Sequence, residues 1–542
     1  MTTKPSETNR KTSKIVALGI ISLLMFSMLS VTGVINAGRM GGGGGGMGGG
    51  GGGMGGGGGG GGGSGSTVID PPPGQAFKDP VTLTDLNEDP SIAEYNLEAK
   101  VSTVNVNGVQ ASLMTYNGQY PGPTILVKQG DTLRIHFKNS LPETTDTNIL
   151  GFVKGVTNVH THGFHVSPEE PADAAHIHIM PGETYDYEYD TSMHPAGTLS
   201  FYHNHIHGLT AEQYWAGLVG CLVTADESSV LAGYETHIMV VKDITLSGNT
   251  PEPYSSTMDY MKGKEGSIVM VNGQVNPVLS MRPGQVQRWR ILNACNARFL
   301  KLNLQQHGLQ IIGTDGGLLD KPYPISEILL APGERIDVLV KAIQSTGSYK
   351  LRSLPHDRGC GSTLQTVTLM TVSVKGTPVS GSIPTVINPD AERWSMDTSS
   401  LPKRNLVLSM MRGRGYINGM DFDVNPYTIM STVGTYEVWT VSVQGGMDHP
   451  FHFHVNHAQV LSVNGGDAAY ASLYIGSPAL KDTILIPKWG SVTLLVQVSD
   501  YTGMTMFHCH IVEHEDIGMM GMWHIMPGDM GMDTMFSPAM TQ

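Results

Sequence analysis

Four short histidine motifs constrain this chain more than anything else in it. They are His160-Thr161-His162-Gly163, Phe201-Tyr202-His203-Asn204-His205, Asp448-His449-Pro450-Phe451-His452-Phe453-His454 and Met506-Phe507-His508-Cys509-His510. In an extended strand successive side chains point to opposite faces, so each i, i+2 pair lies on one face. A single such pair is most simply a strand with two satisfied surface histidines. Four of them, one centred on cysteine, ask for a metal. In the last motif His508 and His510 share a face and Cys509 stands alone on the other. One strand can therefore serve two metal sites, with the cysteine backbone as the short covalent path between them. Past the strand His514 can fold back beside Cys509, and Met519 follows five residues later. Thiolate, imidazole and thioether are the donors of a His₂Cys electron-transfer copper site with a weak axial methionine. The second histidine must come from elsewhere. His449, set three residues before His452 across a strand-breaking proline, is available.

The set closely resembles the multicopper oxidases, the family of laccases and bacterial cuprous oxidases, with all four motifs in the family's order and spacing. The resemblance covers roughly residues 94–527. It implies four copper ions. Type 1 copper would be held by His449, Cys509 and His514 with Met519 axial; Met520 is adjacent, but Met519 keeps the family spacing. Type 2 copper would be held by His160 and His452. The type 3 pair would be held by His162, His203, His205, His454, His508 and His510. Eight histidines for three coppers leave open positions for dioxygen. His205-Ile206-His207 is itself an i, i+2 pair; the Phe201-Tyr202 before His203 matches the family pattern and selects His203 and His205. Reducing O₂ to water consumes protons, so acids belong near the cluster. Asp173 resembles the family's acidic residue beside the type 2 copper, and Glu515 a second relay carboxylate. With Cys509 they make the expected catalytic set.

Strand patterns separated by Gly, Pro and Asn clusters run through the body, without long amphipathic helical stretches. A length of 542 residues suggests three or four domains, and an internal repeat supports three. Gly130-Asp131-Thr132-Leu133-Arg134-Ile135 is echoed by Gly284-Gln285-Val286-Gln287-Arg288-Trp289 and, more loosely, by Gly490-Ser491-Val492-Thr493-Leu494-Leu495. Each unit closes on a glycine and a strand, at Gly197, Gly347 and Gly503. The first and third run straight into histidine motifs. The middle one leads to Pro355-His356-Asp357 with no pair, so it reads as a copper-free spacer. The expected fold is all-β: three cupredoxin-like Greek-key β-sandwich domains over residues 92–235, 236–375 and 403–527. A Pro/Ser/Thr-rich linker fills 376–402. The family resemblance puts metal in the third domain and between the first and third.

Residues 1–37 combine a basic start (Lys4, Arg10, Lys11, Lys14) with an uncharged apolar run from Ile15 to Ile35. This reads as a cleaved Sec-type signal peptide or, since the run is long enough to span, as a membrane anchor and tether. Either places the enzyme domain outside the cytoplasm: secreted, periplasmic or on the cell surface. Residues 38–91, with glycine at every position from 41 to 63 except Met47 and Met54, read as a flexible linker. Residues 528–542 read as a Met-containing tail. Its Met530, Met532 and Met535 are candidate Cu(I) recruiters, because soft thioethers select Cu(I); the simpler reading is a mobile tail. Cys221 reads as a small buried hydrophobe, and Cys295 and Cys360 either pair or stay free. A net charge of −14 with no Lys/Arg run argues against nucleic acid.

The expected reaction couples one-electron oxidation of four donor equivalents to four-electron reduction of O₂ to water. Its partners are O₂ and a small reducing substrate: phenols or aryl amines in the laccase manner, with Cu(I), Fe(II) or Mn(II) as the metallo-oxidase alternative. A copper nitrite reductase would not need His508 and His510 flanking Cys509 together with three more pairs. A copper-free scaffold of the same fold is the non-enzymatic alternative, and the complete ligand set speaks against it. Asp448 and Glu513 flank type 1 ligands and could bind a cation or take a phenolic proton.

Overall fold

A computed structural model describes residues 68–226 and 230–528. The expected export segment at 1–37, the glycine tract and the tail methionines Met530, Met532 and Met535 lie outside the described residues. No helix among the described residues is long and apolar enough to cross a membrane.

Six sheets of four to six strands, paired along the sequence, make three sandwiches. In the first, the sheet ordered Val109–Tyr116, Ile92–Val106, Thr132–Ser140, Thr184–Asp190 faces the sheet ordered Gly122–Val127, Val219–Thr224, Leu199–His203, His160–His162. Alternation drives this packing. Ala93, Tyr95, Leu97 and Ala99 on one strand and Leu133, Ile135 and Phe137 on the next are buried, while the residues between them are not. They meet Ile125, Tyr202 and Leu222 of the facing sheet in one core. The second and third sandwiches are built the same way.

The middle sandwich departs from simple alternation. Strands Val286–Asn293 and Arg335–Lys341 are buried on both faces along almost their whole length. One face carries Trp289, Ile291, Ile336 and Val338 into the core. The other carries charge against the first sandwich: Arg290 donates to Gly197 O at 2.7 Å, and Arg288 bridges Asp337 and Asp226. Buried charges persist only when paired, and these are.

Two expectations need correction. The flexible linker at 38–91 ends earlier than the sequence suggested. Val68–Ile69 pairs in parallel with Thr366–Val367, Phe77 N donates to Val278 O, and Leu83 N donates to Thr124 O. This Pro- and Asp-rich stretch has no hydrophobic period to read. It is held by backbone bonds to sheet edges. The repeat was also misaligned in the third unit. Thr132–Ser140 and Val286–Asn293 each lie parallel to one neighbour and antiparallel to the other. The third-unit strand with that environment is Thr435–Gln444, which follows Gly434. The Gly490 strand, Ser491–Val498, instead matches Thr184–Asp190 and Arg335–Lys341. A glycine stands just before both Thr435–Gln444 and Ser491–Val498, and both bury apolar residues, so the pattern alone does not separate them.

Residues 375–402 contain no strand or helix. The four helices among the described residues are short, and three of them position the site. Val512–Asp516 packs against Thr210–Ala216 and Thr257–Lys262. Its Asp516 carboxylate accepts the N–H groups of Gly208, Thr210 and Ala211. These are the donors that a helix N-terminus leaves unpaired, so the acid pins the helix that carries His514.

Candidate metal centre

Strand Gly503–Cys509 runs between His449–Phe453 and Met520–Met526. His452 pairs opposite His508, and Phe451 opposite Cys509. Directly opposed residues share a face, so the histidines gather on one side while Cys509 joins the aromatic core on the other. His510 follows, its N–H held by Pro450 O at 2.7 Å. In the first sandwich His160 pairs opposite His203, which sets a second group of histidines facing the first.

On the Cys509 side, the Nδ1 atoms of His449 and His514 lie 3.3 and 3.5 Å from Sγ and 3.2 Å from each other. A triangle of these edges has its centre about 1.9 Å from each corner, close to first-row metal bonds of about 2.0 Å to nitrogen and 2.3 Å to sulfur. Burial pushes the Cys509 thiol up and lowers His449 to about 3. The imidazole is therefore neutral, as a ligand must be, and the thiol needs a cation before it ionises. Met519 is buried here. Its carbonyl accepts from Cys509 N at 3.0 Å and its N–H donates to His514 O at 2.9 Å.

On the other side three groups form: His162, His203 and His510; His205, His454 and His508; and His160 and His452 beside His162. His508 Nε2 is 3.2 Å from His205 Nε2 and 3.3 Å from His454 Nε2. Burial, reinforced by the neighbouring imidazoles, holds His203, His454, His508 and His510 well below the usual histidine range. His160 Nε2, His162 Nδ1, His203 Nε2, His452 Nε2 and both His510 nitrogens are buried with no protein partner. Each unpaired buried polar atom costs about 1–3 kcal/mol, and the five rings that carry them all belong to groups of three histidines close enough to share a metal ion. In the first four residues the other ring nitrogen is tied: His160 Nδ1 to Asp173 (2.8 Å), His162 Nε2 to Thr483 (2.9 Å), His203 Nδ1 to Asn204 O (2.8 Å) and His452 Nδ1 to Asp482 O (3.0 Å). That is the outer arrangement ligating histidines need. His207, the alternative partner of His205, instead bonds Asp423 at 2.5 Å.

Both expected acids lie at the cluster. Burial alone would raise Asp173, but His160 and the Thr161 N–H hold it low. Glu515 approaches His508 Nδ1 to 3.3 Å and His205 Nδ1 to 3.7 Å, and Thr210 donates to it at 2.8 Å. Burial, then the charge of Asp516, raises Glu515 above the usual carboxylate range. Asp448 and Glu513 are not available to a substrate. Asp448 is spent on His356 and the Lys488 N–H, and Glu513 on Tyr254 and the Lys264 N–H. All four cysteines are free, with Cys360 exposed and the others buried. Asp482, Thr483 and Arg335, which stand directly behind His162 and His452, belong to no motif in the sequence. The one usable cue was Gly163. A Cβ there would overlap Arg335 and Asp482.

Three sandwiches with a Cys-His-His group one residue from an eight-histidine cluster define a cupredoxin-type copper oxidase. Three family models described as multicopper oxidase match residues 98–229, 229–375 and 395–529. The chain is 31% identical to a multicopper oxidase of Staphylococcus haemolyticus over 76% of this chain and 83% of that protein. It is similar to the structure of a Campylobacter jejuni multicopper oxidase titled a metallo-oxidase (28% identity, TM-score 0.72, 85% and 98% of the two chains). It is equally similar to a Pediococcus acidilactici laccase (27% identity, TM-score 0.72, 85% and 96%). The chain belongs to the multicopper oxidases: it is an oxidoreductase with copper as its cofactor, and four ions are characteristic of the family.

Proposed function

We propose that this chain is a laccase-like oxidase, taking single electrons from phenols or aryl amines and reducing O₂ to two waters. Type 1 copper is assigned to His449, Cys509 and His514 with Met519 axial, type 2 to His160 and His452, and the type 3 pair to His162, His203 and His510 and to His205, His454 and His508. Bound there, copper supplies one-electron redox chemistry at the cysteine site and a four-electron capacity toward O₂ at the cluster. The observation that carries this reading is the position of Cys509. Its backbone continues directly into His508 and His510, each in a different three-histidine group. Glu515 lies beside His205 and His508, where a carboxyl can pass protons to oxygen, while Asp173, held as a carboxylate, accepts from His160 and orients it. Asp448 and Glu513, the acids flanking the type 1 ligands, are bonded within the protein, which counts equally against a cation site and a phenolic-proton acceptor there.

We further assign domains at 92–235, 236–375 and 403–527. The basic and apolar stretch at 1–37 supports an extracytoplasmic location, secreted or tethered. Oxygen consumption in air with a phenol, an aryl amine, Cu(I), Fe(II) and Mn(II) tests the donor. The organic donors are expected to give the higher kcat/KM, and faster turnover of a metal ion would transfer the assignment to a metallo-oxidase.

A further inference from the structure

We propose that Arg335 and Asp482 form a positioning pair, through which the middle sandwich fixes the ring nitrogens that His162 and His452 present to the trinuclear copper centre. The proposal rests on the assignment of those two histidines made above. It changes the role of the middle sandwich from spacer to part of the site.

Arg335 opens a strand of the middle sandwich and is completely buried. Its guanidinium has five N–H donors, and all are used. Nη1 and Nη2 grip the Asp482 carboxylate at 2.7 and 2.6 Å. The others reach Leu199 O (2.9 Å), Gly333 O (3.2 Å) and Asp315 O (3.2 Å). A planar fork on a carboxylate fixes its orientation as well as its charge, which an ammonium group does not.

Asp482 in turn sets two imidazoles. Its Oδ1 lies 3.2 Å from His162 Nε2 and accepts from Thr483 Oγ1 at 2.8 Å. Thr483 Oγ1 is itself 2.9 Å from His162 Nε2. The Asp482 carbonyl accepts from His452 Nδ1 at 3.0 Å. His162 is thus held through Nε2 and His452 through Nδ1, and the nitrogens left facing the cavity, His162 Nδ1 and His452 Nε2, have no protein partner. The pair requires its space: Gly163, directly after His162, sits where a side chain would collide with both members. An apolar pair could fill that space, leaving Leu199 O, Gly333 O and Asp315 O without this donor at about 1–3 kcal/mol for each that stays unpaired. It would give His162 no carboxylate acceptor.

The test compares Arg335→Met/Asp482→Leu with Arg335→Met/Asp482→Asn. Both remove the charges, and only the second restores a side-chain acceptor. The Leu variant should fold and keep its blue type 1 band. Its trinuclear copper should compete with a chelator about 10–100-fold less well, the range for losing an outer-shell partner, and its type 2 EPR signal should be altered. The Asn variant should recover toward wild type in both readouts. A Leu variant with wild-type EPR and chelator resistance, or no difference between Leu and Asn, overturns the proposal. Arg335→Lys keeps the charge and loses the fork. It covers failure of the Leu variant to fold, and should show severalfold faster loss of type 2 copper; wild-type behaviour there also overturns the pair. If the wild-type chain itself carries no type 2 signal when fully loaded, the trinuclear assignment fails instead.

Discussion

Cys509 is the single residue on which both sites depend. It is wholly buried between Phe451 and Phe507, and no other described cysteine has two imidazole nitrogens beside it. Cys509→Ser should abolish the blue charge-transfer band and turnover while leaving the β-sheet circular dichroism unchanged. The buried hydroxyl would cost about 1–3 kcal/mol if unpaired, too little to unfold a core of this size. Intense blue colour surviving in that variant would refute the type 1 assignment. At this scale the copper residues were legible because they come as local pairs: a spacing of two on a strand is visible without knowing where the strand goes. Asp482 and Arg335 were not legible for the opposite reason. Each is a lone charged residue whose partner lies 147 positions away, and only the folded sheets bring them behind His162.

At the level of elements, one strand separates the two sites by the alternation of its side chains. Removing His454 and His508 together should therefore leave the cysteine side intact. His454→Ala/His508→Ala should give a blue protein that a donor reduces but air does not reoxidise, with turnover down more than about 100-fold, beyond the loss expected for an outer-shell partner. Normal oxygen uptake would refute the trinuclear assignment. The turn before strand Arg335–Lys341 makes a second prediction. Gly333 has a φ of +84°, and a Cβ there would stand 2.9 Å from His510 Nδ1. Gly333→Ala should cost at least about 1–2 kcal/mol from the left-handed backbone alone, read as a lower urea midpoint. It should also weaken the near-ultraviolet type 3 band; an unchanged band would show that His510 does not need this close approach. The strand class was readable from alternation and turn residues. The repeat was not, because a glycine precedes both Thr435–Gln444 and Ser491–Val498, and only their pairing distinguishes the two.

For the molecule as a whole, the proposed assignment has copper joining parts of the chain far apart in sequence. His160, His162, His203 and His205 come from the first sandwich, and His452, His454, His508 and His510 from the third. Each of the three histidine groups draws on both. Without metal, that face keeps buried nitrogens with no partner, and nothing there offsets their desolvation. A ligand that binds only the folded state stabilises it by RT ln(1 + [L]/Kd), about 4 kcal/mol when free ligand is a thousand times Kd. Stripping copper with a chelator should therefore lower the main calorimetric transition by about 4 °C, since an unfolding entropy of about 2.1 cal/mol/K per residue makes about 1 kcal/mol per degree for a body of this size. Reloading should restore it. The Cys509→Ser variant, which keeps the cluster, should retain most of the copper-dependent shift. His454→Ala/His508→Ala should lose most of it while keeping the blue site. If copper-loaded and stripped protein melt together, or if the shift follows the cysteine site alone, the histidine groups do not hold the first and third sandwiches to one another through metal.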